Sequence, residues 1–140
     1  MAVAHLVLVR QMRSLVSLFA LLAAGCPTAP PVTINGQNNG FIKDNYDRAL
    51  VLAVDSHRFD QPQMTVTVPA GKHFLLVRAI RMRGVYPRPH EADVPLFATF
   101  EPHKVYNIDS LESSDRMGAG LYTDDHLTLV SEVDVPFQSP

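Results

Sequence analysis

The chain has 140 residues, 46% of them hydrophobic and 8% aromatic, with 12 basic against 14 acidic side chains and a formal charge of −2. That length suits one core and excludes two full domains, and a mildly acidic chain is a poor nucleic-acid binder because phosphate contacts dominate that affinity. Trp is absent, which weighs against a stacking platform for sugars.

The chain opens with an apolar run, Met1 to Val9, closed by Arg10. A second run follows Met12 and Arg13 and reads Leu15-Val16-Ser17-Leu18-Phe19-Ala20-Leu21-Leu22-Ala23-Ala24-Gly25-Cys26. A positive start, a short apolar stretch and small residues form the layout of a secretory signal. Neither run reaches the roughly 18 residues of a membrane span, and Arg10 and Arg13 interrupt them. Signals begin with their positive charge, so translation is expected to start at Met12. The alternative is an unusually long signal from Met1.

The box Leu22-Ala23-Ala24-Gly25-Cys26 resembles the signal end of bacterial lipoproteins. One place departs from the usual box: Ala23 stands three residues before the cysteine, where Leu is common, and Leu22 lies one step further out. The resemblance implies cleavage of the signal helix between Gly25 and Cys26, a diacylglyceryl thioether on Cys26 and acylation of the new amino terminus. Cys26 is the only cysteine, so an internal disulfide is impossible, and a lone thiol in an oxidising compartment invites unwanted pairing. The alternative is an ordinary secretory signal followed by that free thiol. Several acyl chains, at about 0.8 kcal/mol per buried methylene, anchor far better than one. Pro27 follows Cys26 where an Asp would hold the product in the inner membrane. By resemblance the chain is therefore sorted to the outer membrane, facing the periplasm. Loss of residues 1–25 removes Arg10 and Arg13, and 10 basic against 14 acidic residues leaves −4.

Three segments are expected: the signal over 1–25, a lipidated Cys and Pro/Asn/Gly-rich tether over 26–40, and a folded domain over 41–140. Pro30-Pro31 favours an extended spacer, and Ile34-Asn-Gly-Gln-Asn-Asn-Gly40 reads as tether or turns. Arg48 to Val54 predicts a strand and Ser56 to Pro62 a polar loop. Gln63 to Val68 alternates, with Met64, Val66 and Val68 inward and Thr65 and Thr67 outward. Pro69-Ala70-Gly71-Lys72 predicts a tight turn, with Gly71 at positive φ. His73 to Met82 predicts the returning strand of a central hairpin over 63–82, with Phe74, Leu76 and Ile80 meeting the core.

Arg83 to Asp93 predicts a loop, and Val94 to Phe100 a strand whose Pro95 hints at an edge. Glu101 to Lys104 is a turn, and Val105 to Ile108 a strand with Tyr106 and Ile108 on one face. Asp109 to Gly120 predicts a long loop, with a short strand at Leu121 and Tyr122. His126 to Val135 alternates, with Leu127, Leu129, Val133 and Val135 inward. No useful helical period follows residue 26. About six or seven short strands with frequent turns argue a single all-β domain, an antiparallel sandwich of immunoglobulin or transthyretin type.

The run Val51-Leu-Ala-Val-Asp55, a loop, and Thr65-Val-Thr-Val-Pro-Ala-Gly-Lys-His73-Phe-Leu-Leu-Val77 resembles small PEGA-like periplasmic sandwich modules. Phe97-Ala-Thr-Phe-Glu-Pro-His-Lys-Val-Tyr106 matches their next hairpin, and the likeness covers roughly residues 48–109. It implies a cell-envelope surface or scaffold role and carries no catalytic residues to transfer.

Chemistry-bearing residues are scattered. His57, His73, His90, His103 and His126 form no close ligand pair, although His57 and His73 could approach His103, and Met64, Met82 and Met117 are soft donors suited to copper. The other reading is turn histidines and core methionines. No Gly-x-Ser-x-Gly elbow is present, and Ser113-Ser114 has no patterned base nearby. Glu101 and Glu112 could pair as glycosidase carboxylates. Asp44-Asn45-Tyr46-Asp47 partly matches a calcium loop but lacks its Gly and distal Glu. Lys72 to Arg88 holds five basic residues and no acid, while Glu101 onward holds eight acids. The basic run is either a face for anionic headgroups or glycan, or a neighbour that the acidic segment neutralises.

The expectation is a membrane-anchored periplasmic lipoprotein, a non-catalytic structural or binding module of the cell envelope. It needs no cofactor, and its partners are the membrane through Cys26 and an envelope protein or glycan. The alternative is a small envelope enzyme or a copper or zinc carrier using His and Met side chains.

Overall fold

A computed structural model describes residues 28–42, 45–82, 89–126 and 128–136. The expected signal and cleavage site, with Cys26, lie outside the described residues, as do Asp44, Arg83 to Arg88 and Leu127.

Ten strands and no helix are found among them: β1 (Pro31–Asn35), β2 (Gln37–Ile42), β3 (Asn45–Val54), β4 (His57–Gln63), β5 (Thr65–Pro69), β6 (Gly71–Met82), β7 (His90–Phe100), β8 (Val105–Ser113), β9 (Arg116–Thr123) and β10 (Leu129–Pro136). They form two packed sheets, an all-β sandwich. Sheet A has the order β10-β9-β8-β1-β5, and sheet B the order β2-β3-β6-β7 with β4 also on β3. β1 and β8 run parallel, and the other ladders are antiparallel. β7 closes one edge of sheet B, which suits Pro95, since an edge strand can do without one amide donor.

Alternating side chains from the two inner faces make the core. Sheet A supplies Val32, Ile34, Val66, Val68, Tyr106, Ile108, Met117, Ala119 and Leu121, all buried. Sheet B supplies Ala49, Val51, Leu75, Val77, Ala79, Ala92, Val94, Leu96 and Phe100.

Four expectations are corrected. The expected tether contains β1, whose Val32 and Ile34 are fully buried between the two sheets, so the fold begins at Pro31 and not near Phe41. The polar stretch after Asp55 pairs with β3 as β4, and its side chains stay largely outside because it lies on an edge. Asp109 to Gly120 is not a loop: β8 continues to Ser113, turns at Ser114-Asp115, and returns as β9 with Gly118 and Gly120 inside the strand.

The fourth correction concerns the expected hairpin. β5 pairs with β1 in sheet A, whereas β6 pairs with β3 and β7 in sheet B. Residues 69–71 are therefore a corner between sheets. Gly71 does take positive φ, at 138°. The core face of β6 is Leu75, Val77 and Ala79, and Phe74, Leu76 and Ile80 lie half-buried on the outer face. Met64 is exposed as well, as is Leu129 of β10, which was expected inward, while Val66 and Val68 point inward as expected.

Candidate binding groove

The inter-sheet corner puts β1, β6 and β7 together at one end of the sandwich. Pro30 O accepts the Ala70 amide at 2.8 Å, and Pro31 O accepts the His103 amide at 3.3 Å. Leading away from this corner, β6 and β7 pair from Gly71↔Phe100 to Phe74↔Phe97. An open groove of about 620 Å³ lies here, lined by Lys72, His73, Phe74, Phe97, Ala98, Thr99 and Val130.

Its apolar part is Phe74, Phe97 and Val130. The two phenyl rings sit 4.9 Å apart between centroids as a directly opposed cross-strand pair, a contact worth about 0.5–1.5 kcal/mol beyond its area. Phe97 is nevertheless 67% exposed. Val130 arrives from the other sheet. The β9–β10 register slips between Leu129 and Ser131, so Val130 is the bulged residue, and a bulge at an edge re-aims its side chain.

The polar wall is His73, whose side chain is 12% exposed. Its Nδ1 lies 2.7 Å from Asp55 Oδ2, and its Nε2 lies 2.8 Å from Pro69 O. Asp55 sits in the β3–β4 turn at φ 51°, a left-handed conformation that Asp tolerates. Its amide donates to Phe74 O at 2.8 Å, and its Oδ1 accepts the Phe74 amide at 3.0 Å. The Phe74 amide, with the His73 ring second, holds the Asp55 carboxyl below its ordinary value of 3.8. Asp55, His73 and Pro69 thus clasp three segments: the β3–β4 turn, β6 and the corner.

An Asp–His pair is also the orienting half of a hydrolytic triad, where Nε2 must face a nucleophile. Here Nε2 faces a main-chain carbonyl. Ser113 and Ser114 lie at the far end of β8, and the Ser114 hydroxyl faces Asp115.

The other candidates disperse. Glu101 precedes β8 and Glu112 lies near its end, about 20 Å away by strand rise, against the roughly 5–9.5 Å that glycosidase pairs require. Glu101 pairs with Lys104 at 3.2 Å, and Glu112 with His90 at 2.7 Å. His126 faces Asp109 at 3.3 Å, and His57 packs its ring edge-on to Phe59. Among the described residues no three His, Cys, Asp or Glu side chains gather as a metal site. Met117 is buried in the core of sheet A, whereas Met82 ends β6 and Met64 joins β4 to β5. Asp47 of the suggested calcium loop binds Arg81 at 2.8 Å.

Among the described residues, two cations of the basic run, Arg78 and Arg81, are paired, and not with the acidic C-terminal segment. Asp93 takes Arg78 through two hydrogen bonds at 2.8 and 3.0 Å, and Asp47 takes Arg81. Arg78 and Arg81 do lie on opposite faces of β6, as strand alternation requires.

Two contacts of the fold were not legible in the sequence. Gln37 crosses from sheet B, and its Oε1 accepts both the amide and the hydroxyl of buried Ser110, at 2.8 and 2.9 Å. Pro69 and Gly71 read as a hairpin turn, and nothing marks Asp55 as the partner of His73, 18 residues away. No family model matches the chain, and comparison with curated proteins and with solved structures finds no match either.

Proposed function

We infer that the protein is a lipid-anchored envelope protein whose sandwich serves as a non-catalytic structural or binding module on the periplasmic face of the outer membrane. One observation carries the reading. The first core strand starts at Pro31, so only four residues separate it from the box cysteine. A lipid on Cys26 then holds the domain itself against a bilayer and not on a long leash, since the five steps from Cys26 to Pro31 span at most roughly 18 Å. The engagement of both His73 nitrogens by Asp55 and Pro69 supports a binding module over a hydrolase.

The test is fractionation of cells expressing wild-type and Cys26→Ser chains, with mass analysis of the amino-terminal peptide. Wild type carries acyl mass on Cys26 and stays with membranes after a high-salt wash, while the variant moves to the soluble fraction. Unmodified Cys26, or identical fractionation of the two, refutes the anchor.

A further inference from the structure

We propose that the groove around Phe97 is a membrane-docking face, seated on the same bilayer that holds the Cys26 lipid. This rests on the anchored reading above and adds an orientation to it.

Four observations converge on one end of the sandwich. The chain enters there, with Pro30 hydrogen-bonded to Ala70 at the inter-sheet corner. Four steps of chain join Cys26 to Pro30, which places a bilayer within roughly 14 Å of that corner. From Gly71 to Phe74, the cross-strand partner of Phe97, is about 10 Å of strand. The apolar groove is therefore within reach of the same surface.

Exposure is concentrated there too. The exposed large apolar side chains among the described residues are Met64, Phe97, Leu129 and Val130. Phe97 lies in the half of β7 that meets the corner, and Leu129 and Val130 begin β10 at that end. Water contact with a 67% exposed Phe is unfavourable and is removed when the ring enters the headgroup boundary.

The lining chemistry suits a lipid surface. Lys72 is the exposed cation at the rim, and no carboxylate lines the groove. His73 turns its nitrogens to Asp55 and Pro69, which leaves the groove an apolar floor with a single basic rim. Phenyl rings at the acyl boundary and an ammonium at the phosphates follow the usual division of an interfacial patch.

The test uses the full chain, purified from membranes and reconstituted into phosphatidylethanolamine vesicles containing a minority of phosphatidylglycerol. The sequence has no Trp, so Phe97→Trp introduces the only indole. Val130→Trp is a second probe of the same groove, and Ser114→Trp reports from the β8–β9 turn at the opposite end. Circular dichroism checks that each variant keeps its strand signal. The expected result is a blue shift and loss of emission on brominated lipid for Phe97→Trp and Val130→Trp, with Ser114→Trp unaffected. Acylated, vesicle-bound protein whose groove probes are not quenched overturns the docking face and leaves the anchor standing. Unmodified protein that does not float with vesicles and shows no quenching overturns both. A blue shift that persists without lipid, with doubled sedimenting mass, assigns the groove to a second copy of the chain and also overturns the proposal.

Discussion

Gly36→Ala should be among the most damaging small substitutions in the domain. Gly36 is the single residue between β1 of sheet A and β2 of sheet B. Its amide donates to Met64 O at 2.6 Å. A Cβ there would overlap Ala49 O deeply and would lie 3.2 Å from Met64 O. Both neighbours are main chain, so no rotamer change relieves the overlap, and β3 or the crossing itself has to move. Overpacking of that kind costs about 1–3 kcal/mol. The movement also pulls Gln37 away from Ser110, whose amide and hydroxyl are 4% exposed as a residue and hydrogen-bond Gln37 Oε1. Stranding a buried donor costs a further ~1–3 kcal/mol. The sum is about 2–6 kcal/mol, a large share of the stability of a typical domain, ~5–15 kcal/mol. The assay is urea unfolding of the full chain followed by circular dichroism. With a slope of about 1–3 kcal/mol/M, the midpoint should fall by about 0.7 M or more. A shift under about 0.3 M at unchanged slope would mean that the crossing has room for a methyl group, and the reasoning fails.

Gly71→Val should lose about 1–3 kcal/mol for a different reason: a Cβ meets nothing within 4 Å, but φ of 138° is closed to a β-branched residue, and Lys72→Ala beside it should change little in the same urea titration. Leu75→Ala, fully buried, should cost about 2–5 kcal/mol, well above Leu76→Ala on the outer face, and equal midpoints would mean that the faces of β6 are misassigned. Gln37→Ala should cost about 1–3 kcal/mol unless Ser110→Ala is also present, because the double variant leaves fewer stranded donors, and a double-mutant cycle measures this. For Asp55→Asn the signature is pH. The folded carboxyl titrates below its ordinary 3.8, so its stabilisation is present above that value and is lost as pH falls through the depressed one. Asn keeps the left-handed turn, so wild type should exceed the variant in unfolding midpoint at pH 6 and converge with it in strong acid. A difference that stays constant down to pH 2 refutes a role for the charge.

The all-β class was legible from alternation, because a half-buried strand writes its burial in period two, but the strand count was not: six or seven were expected and ten are found among the described residues. Val66, Val68, Tyr106 and Ile108 were placed inward on that basis and are buried. The positive φ of Gly71 was legible as well, since Pro-Ala-Gly-Lys marks a sharp change of chain direction, although it joins two sheets and not a hairpin.

What local pattern could not decide was pairing. β6 is apolar on both faces, so alternation offers two equally good cores, and only its place between β3 and β7 selects Leu75, Val77 and Ala79. β1 carries just two large apolar residues before an Asn- and Gly-rich run, too few to outweigh the look of a tether. Its burial comes from β8 and β5, which flank it from distant parts of the chain. The clasp of Asp55, His73 and Pro69, the Gln37–Ser110 bridge and the meeting of Val130 with Phe97 are of the same kind. Each joins residues whose own neighbourhoods carry no sign of the partner, because cross-strand hydrogen bonds and sheet-to-sheet packing depend on register and layer, and those exist only once the two sheets have closed on one another.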